Sequence, residues 1–218
     1  MKRKHIQNKN FKIWKYLDFT KFVSLLETDS LYFAKANTMI DRHEGIFNSD
    51  SKLSASCKNK KFKKTKNLVY LNCWHINKYE SAAMWSVYLQ SNEGIAIQST
   101  RLRMEKSFQN KKHNIQLGEI KYTDYQKENI CNKDIFYPFF HKRKSFEYEK
   151  EFRALIYKKQ ESRERGIFIP IDIKTLIEKI YVAPTAEEWI KELVQSLVKK
   201  YNINVEVIKS NLFDDPVF

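Results

Sequence analysis

The stretch that decides the fold reads Lys142-Arg143-Lys144-Ser145-Phe146-Glu147-Tyr148-Glu149-Lys150-Glu151-Phe152-Arg153-Ala154-Leu155-Ile156. Its first part places three carboxylates among several cations, and its end is apolar. We expect a strand over 149–156 in which Glu149, Glu151 and Arg153 share one face, because side chains alternate along a strand. Two interpretations stay open: a solvated edge strand with paired surface charges, which is what most charge runs are, or a site that uses the carboxylates.

The composition fits one domain with a full hydrophobic core. The chain has 218 residues, of which 42% are hydrophobic and 14% aromatic. It contains no apolar run long enough to span a bilayer, and no apolar segment follows the basic N-terminus as it would in a signal peptide. The three cysteines, Cys57, Cys73 and Cys131, are widely spaced and odd in number. They favour a reducing cytoplasm and argue against a disulfide framework or a cysteine-rich zinc site.

The chain is strongly basic, with a formal net charge of +14. Such an excess favours polyanionic partners such as nucleic acid, although a lysine-rich and asparagine-rich chain from an AT-rich genome also drifts basic without binding anything. The segment 48–67 reads as a surface excursion with a dense basic run. Its candidate phosphate contacts are Lys58, Lys60, Lys61, Lys63, Lys64 and Lys66. A solvated loop explains the same run.

Short apolar segments alternate with helical patterns along the whole chain. Strands are predicted over 11–16, 31–34, 68–75, 94–99, 115–122, 166–172, 180–183 and 203–208, and helices after Asp18 or Thr20, over 81–89 and over 101–108. Thr185 and Glu188 predict a capping box for a last helix. No regular βαβ period is present, so we expect an α+β fold with mixed or antiparallel twisted sheets and helices packed around them. We expect a single domain, 1–218, with a core over 10–160 and a strand–helix–strand extension over 161–218.

Several familiar catalytic motifs are missing from the sequence. It contains no P-loop, no GxGxxG fingerprint, no HExxH helix and no glycine-flanked serine. Cys73 and His75 would share a strand face, which leaves a thiol–imidazole pair conceivable. The histidines and carboxylates are too few and too scattered to predict a metal site.

The remaining candidate site combines aromatic side chains with the late carboxylates. Aromatic faces stack on a flat ring, a carboxylate stabilises an oxocarbenium-like centre, and an arginine holds a phosphate through two hydrogen bonds. This set suits a heteroaromatic ligand that carries phosphate. Its members are Lys15, Tyr16, Tyr32, Phe33, Trp74, His75, Trp85, Tyr88, Arg143 and Arg153, with Glu149 and Glu151. Core packing explains each aromatic residue as well.

Six blocks of the sequence are Trp14–Tyr16, Leu31–Ala36, Asp41–Gly45, Cys73–Tyr88, Gly94–Ile97 and Lys142–Arg153. Their order and spacing resemble a bacterial family known as domain of unknown function 2971. Where that family usually has Asn-Asp-Pro before the early Glu-Gly, this chain has Ile40-Asp41-Arg42. The block order is also similar to the ADP-ribosyltransferase superfamily, in which early strands bind NAD and a late strand presents a catalytic Glu, often as Glu-x-Glu.

On that resemblance, Glu151 is the catalytic carboxylate and Glu149 orients the acceptor. Lys15 or Tyr16 takes the first-strand position and Tyr32-Phe33 the second. The chain has no clear His or Arg on the first strand and no Ser-Thr-Ser on the second. The resemblance implies NAD as the substrate and RNA, DNA or protein as the acceptor. It also implies a role as a toxin or anti-phage effector, with an antitoxin or other defence protein as a further partner.

Two other functions stay open at this point. One is a non-catalytic module that binds nucleic acid or a protein partner through its basic surface. The other is a nuclease that holds a divalent metal with Asp41, Glu44, Glu149 and Glu151.

Overall fold

The computed structural model describes residues 9–46, 64–88, 92–108, 113–128, 130 and 134–216. The strands are β1 Lys12–Asp18, β2 Ser30–Lys35, β3 Val69–Ile76, β4 Gly94–Thr100, β5 Gln116–Glu119, β6 Lys121–Thr123, β7 His141–Arg143, β8 Glu151–Tyr157, β9 Gly166–Pro170, β10 Lys179–Val182 and β11 Glu206–Lys209. The helices are α1 Phe19–Thr28, α2 Ala82–Tyr88, α3 Arg101–Ser107, α4 Ile173–Leu176 and α5 Glu188–Lys200.

The described residues fall into two compact units. The first unit contains those of 32–73 and 111–169, and the second contains those of 9–31, 74–110 and 170–218. Strand β3 passes from the first unit to the second after Cys73. The predicted extension 161–218 is divided in the same way, since β9 lies in the first unit and the following elements lie in the second.

The first unit is built on a sheet with the strand order β9, β2, β3, β8, β5. Strands β2 and β3 are antiparallel, as are β5 and β8. A separate two-stranded parallel sheet pairs β6 with β7, with Tyr122 opposite Lys142. Strand β7 is flanked by two 3₁₀ helices, Tyr137–Phe140 and Lys144–Glu149. These short elements bring the charged residues before β8 close to the strand's first residue.

The core of the first unit is a cluster of buried apolar side chains on strands β3 and β8 and their neighbours. Ala36, Val69, Leu71, Phe139 and Leu155 form this cluster. Burial of such side chains contributes roughly 1.5–3 kcal/mol each to the free energy of unfolding. The cluster therefore fixes β8 and the 3₁₀ helix that carries Phe139 against each other.

In the second unit the strand order is β11, β10, β4, β1 and the end of β3. The pairs β1–β3, β1–β4 and β4–β10 are antiparallel, whereas β10 and β11 are parallel. Helix α1 buries Phe22, Leu25 and Leu26, which recur at helical spacing. Asp18 caps this helix by accepting a hydrogen bond from the Lys21 N–H, as one of the two predicted caps requires.

The α+β class and the mixed sheets are confirmed, with two local differences. The predicted strand over 115–122 is divided into β5, which pairs with β8 in antiparallel fashion, and β6, which pairs with β7 in parallel. The predicted capping box is wrong. Ala186 donates to the Ala183 carbonyl, so a turn occupies this position and α5 begins at Glu188 without a side-chain cap. Among the described residues, every helix is too short or too polar to cross a membrane.

We expect Asp18→Ala to lower the free energy of unfolding by about 1 kcal/mol, because the first turn of α1 loses its N-cap acceptor. Asp18→Asn keeps a side-chain oxygen at this position and should cost only a fraction of that amount. Urea unfolding followed by circular dichroism measures both. An equal loss in the two variants would show that the charge pairing of Asp18 with Lys21 matters, rather than the cap.

Candidate active site

A sharp turn, rather than strand alternation, brings the Glu149 and Glu151 carboxyl groups together. Glu149 ends the 3₁₀ helix Lys144–Glu149, and Lys150 adopts a left-handed conformation with φ of 40°. Strand β8 begins only at Glu151. The prediction of a strand from residue 149 is therefore wrong at its start. The two glutamates are nevertheless neighbours, because the turn at Lys150 folds Glu149 back.

Four buried side chains form a closed ring of alternating charge, which we call the charge ring. It consists of Glu44, Lys142, Glu151 and Arg153. Glu151 accepts from Lys142 Nζ at 3.1 Å and from Arg153 Nε at 2.5 Å. Glu44 Oε1 lies 3.3 Å from Lys142 Nζ and 3.0 Å from Arg153 Nη2. Two cations and two carboxylates thus neutralise one another, which buried charges require.

Backbone and phenol groups hold the charge ring in place. Arg153 is completely buried, and its Nη1 donates to the Phe139 carbonyl at 3.0 Å. The backbone N–H of Glu151 donates to the Tyr122 hydroxyl at 2.8 Å. Strand β8 and its neighbours therefore determine where the guanidinium and the carboxylate lie.

Glu44 reaches the ring through a tight turn that needs Gly45. Gly45 has a φ of +73°, and a Cβ built on it would lie 2.4 Å from Cε1 of Phe139. The Glu44 N–H donates to the Asp41 carbonyl at 3.1 Å, and the Asp41 carboxylate accepts from the His43 N–H. The turn thus packs directly on the residue whose carbonyl holds Arg153.

Glu149 adds one carboxyl group beyond the charge ring. Its Oε2 lies 2.6 Å from Lys142 Nζ, and only 8% of the residue is exposed. Burial, followed by the hydrogen bond to Glu151 and that residue's charge, raises the pKa of Glu149 to about 8, although Lys142 opposes the shift. Glu149 therefore carries a proton at neutral pH, which keeps the buried group of five side chains electrically neutral.

Glu151 has the opposite ionisation. Burial would raise its pKa, but the charge of Arg153, the hydrogen bond from Glu149 and the charge of Lys142 hold the pKa of Glu151 well below its ordinary range. The pair therefore combines one protonated and one ionised carboxyl group. In many enzymes, the surroundings of two carboxyl groups separate their pKa values in this way, and one group then acts as an acid and the other as a base or an anion.

The remaining predicted residues of the first unit lie outside the charge ring. Tyr32 is 45% exposed and packs edge-on against Phe168, whereas Phe33 is buried. Arg143 pairs with Asp41 at 2.9 Å and keeps a side chain that is 42% exposed. Its Nε and Nη2 both contact the Asp41 carboxylate.

The predicted aromatic residues of the second unit form a cluster of their own. Tyr16 contacts Trp85 edge-on at a centroid distance of 5.0 Å and His75 at 6.4 Å. The Tyr16 hydroxyl accepts from the Ser81 N–H at 2.8 Å, and burial raises its pKa. Trp74 is buried, Lys15 is half-buried, and Tyr88 is 42% exposed. Their role in ligand binding stays a prediction.

The predicted basic run is only partly described by the structure. Lys58, Lys60, Lys61 and Lys63 lie outside the described residues. Lys64 is exposed, and Lys66 is half-buried and donates to the Arg42 carbonyl at 3.0 Å.

The carboxylates of the candidate site contact the cations Lys142 and Arg153, where a metal site would have carboxylate oxygens around an ion. Within the described ranges, no group of three His, Cys, Asp or Glu side chains is arranged to hold a metal ion. The sequence analysis assigned Glu44 only to the nuclease alternative, and Lys142 was not among the predicted site residues. The signal for Glu44 was the Glu-Gly pair within Asp41–Gly45, whose glycine marks a turn.

Comparisons with known proteins give matches among solved structures. No family model matches the sequence, and no curated protein matches it. The chain is similar to DarT from Thermus sp. 2.9 in complex with NAD+, with a TM-score of 0.44 and 11% identity over 92% of this chain and 95% of that chain. It is also similar to the DarT complex with ADP-ribosylated ssDNA, with a TM-score of 0.46 and 11% identity over 96% and 98% of the two chains. Membership of domain of unknown function 2971 stays a prediction.

We expect Gly45→Ala to destabilise the first unit by more than 1 kcal/mol, because a left-handed φ and a clash with Phe139 act together. Gly118→Ala is the matched control. Its Cβ would also meet a phenyl ring, with Cε1 of Phe140 at 2.8 Å, but its φ is not left-handed, so the comparison isolates the backbone penalty. Urea unfolding compares the two variants, and a larger loss in the control would contradict the role given to the Gly45 turn.

Glu149→Gln should change how stability depends on pH. The folded pKa of Glu149, about 8, exceeds its ordinary value of 4.5, so wild-type protein loses stability as pH rises between these values. The glutamine variant lacks this loss. The free energy of unfolding of the variant, relative to that of the wild type, should therefore rise steadily from about pH 5 to pH 8.

Urea unfolding at four pH values measures this difference. Glu147→Gln is the control, because Glu147 is an exposed residue of the same 3₁₀ helix. Parallel pH curves for wild type and Glu149→Gln would show that Glu149 ionises normally.

Proposed function

We propose that this protein is an NAD-dependent ADP-ribosyltransferase that transfers ADP-ribose to a macromolecular acceptor, in which nucleic acid is the favoured acceptor class. The observation that supports the proposal best is the buried Glu149–Glu151 pair, in which both carboxyl groups contact the Lys142 ammonium, at 2.6 and 3.1 Å. It occurs at the start of a late strand, where the superfamily resemblance of the sequence expects the catalytic Glu.

In the proposed reaction, the bond between the ribose C1′ and the nicotinamide nitrogen breaks, and nicotinamide leaves with the bonding electrons. Glu151 is the ionised member of the pair, and it would stabilise the positive charge that develops on the ribose. Its two oxygens accept one hydrogen bond each from Lys142 and Arg153, and Glu149 donates a third to the same carboxylate. A carboxylate oxygen has a second lone pair, so a ribose hydroxyl could still donate to Glu151.

The acceptor must lose a proton when its nucleophile bonds to C1′. Glu149 is the candidate base, because a group with a pKa of about 8 exchanges protons readily near neutral pH. Since the base form is the carboxylate, transfer should accelerate as the pH rises toward and past 8. The proton would then be released to solvent before the next turnover.

Two observations support nucleic acid as the acceptor class. The formal net charge is +14, and polyanions are attracted to such a chain. Arg143 next to the site keeps a partly exposed guanidinium that suits a phosphate group. A toxin or anti-phage role and a neutralising partner protein remain predictions.

The test is transfer of label from radiolabelled NAD to single-stranded DNA, RNA and protein acceptors. Glu149→Gln should remain folded at pH 7, because Glu149 is already protonated there, and should react at least about 10²-fold more slowly. Glu151→Gln should lose a similar or larger factor. Glu147→Gln should react like the wild type. The proposal fails if the wild type neither transfers label nor hydrolyses NAD, or if both glutamine variants are fully active.

A second candidate function is a non-catalytic binding module. It is favoured by the closure of the charge ring, since its four charges are satisfied by one another and Glu149 and Glu151 are less than a tenth exposed. Nucleic-acid binding that weakens steeply with salt and is unchanged in Glu149→Gln, without any use of NAD, would favour this alternative.

A further inference from the structure

Glu44 is a buried carboxylate to which the proposed reaction assigns no step. It lies 109 residues before Arg153 in the chain and is 2% exposed. One oxygen, Oε1, contacts both Arg153 Nη2 and Lys142 Nζ, at 3.0 and 3.3 Å. The other oxygen, Oε2, is buried and has no hydrogen-bond partner among the described residues. Burying a carboxylate in this way is costly, so its position calls for an explanation.

The charge count around Lys142 suggests what Glu44 does. With Glu44 present, Lys142 and Arg153 are balanced by Glu44 and Glu151, and the Glu149 carboxyl can keep its proton. Without Glu44, the same two cations would face Glu151 alone. The cheapest way to restore neutrality would then be ionisation of Glu149, which lies 2.6 Å from the Lys142 ammonium.

We propose that Glu44 is a positioning residue for the carboxyl pair: by closing the charge ring it occupies Lys142 and Arg153, and it thereby leaves Glu149 free to exchange a proton with the acceptor. This inference rests on the proposed function for its catalytic meaning. Its physical content, that Glu44 controls the proton on Glu149, concerns the folded protein alone.

The groups that face Glu149 come from every element packed around it. Lys142 approaches from β7 and Glu151 from β8, and Tyr122 from β6 is close enough to interact electrostatically with Glu149. Burial raises the pKa of Tyr122, so this phenol stays neutral near pH 7. Glu44 acts on Glu149 through the ammonium that both contact.

Glu44→Gln tests the inference with little change in shape. The amide oxygen can retain the contacts of Oε1, and the amide nitrogen replaces the oxygen that has no partner. Removal of a negative charge that shares the Lys142 ammonium with Glu149 stabilises the Glu149 anion. The titration of Glu149 should therefore move to lower pH by about one to two units, for an effective dielectric constant near 20.

The titration is read directly by carbon-13 NMR of the glutamate carboxyl groups. Loss of the signal in Glu149→Gln assigns the resonance. The midpoint of the pH–rate profile for transfer should move by the same amount. Asp41→Asn is the matched control, because Asp41 is a buried carboxylate of the same turn that pairs with Arg143 instead of the charge ring. We expect the Glu149 titration in this control to stay within about 0.3 unit of the wild type.

Glu44→Asp provides a second variant that keeps the negative charge but withdraws it from Lys142 and Arg153. It should shift the Glu149 titration in the same direction by less than the glutamine variant does, and it carries the test if Glu44→Gln does not fold. An unchanged titration in the variants, or an equal shift in Asp41→Asn, overturns the inference. If the Glu149 titration shifts in the Glu44 variants but the wild type has no transferase activity, the inference is supported and the proposed function is overturned.

Discussion

The first unit depends on how a single buried ammonium group is balanced. Lys142 Nζ lies within 3.3 Å of carboxylate oxygens from Glu44, Glu149 and Glu151. Burial would lower the pKa of Lys142, but the carboxylates, Glu151 and Glu44 foremost, raise it, so the lysine stays charged. Arg153 shares two of the three carboxylates. Two cations cannot balance three ionised carboxylates. The carboxyl group that keeps its proton is Glu149, which contacts Lys142 but not Arg153.

This electrostatic constraint explains several features of the backbone around the site. Lys142 lies on a short parallel strand opposite Tyr122, whose hydroxyl accepts from Glu151. Phe139 contributes its ring to the apolar core and its carbonyl to Arg153. Because Gly45 has no Cβ, the turn that carries Glu44 can pack against the phenyl ring of Phe139. Each charged group is thus tied to an element held by apolar packing, which limits the reorganisation that would otherwise screen the charges.

Much of the fold could be predicted from the sequence, because apolar periodicity marks β1, β3, β4, β8 and α1 with little ambiguity. The start of β8 could not, since nothing in Glu149-Lys150-Glu151 signals that Lys150 takes a left-handed conformation. The carboxylates were identified as a pair, but for the wrong geometric reason.

The charge ring itself was beyond prediction, because Glu44 and Arg153 are joined only by the tertiary fold. For the aromatic residues, the sequence predicts the cluster but not its role. Tyr16, His75 and Trp85 do come together, yet burial and aromatic type alone do not distinguish a binding surface from a packed core.

A structure of the protein with a non-hydrolysable NAD analogue bound tests the central claim most directly. The account predicts that the nicotinamide ribose lies against the start of β8, with a ribose hydroxyl within hydrogen-bond distance of the Glu151 carboxylate and Glu149 facing the C1′ atom. A nucleotide bound elsewhere on the molecule, with the charge ring still closed and inaccessible, would contradict it.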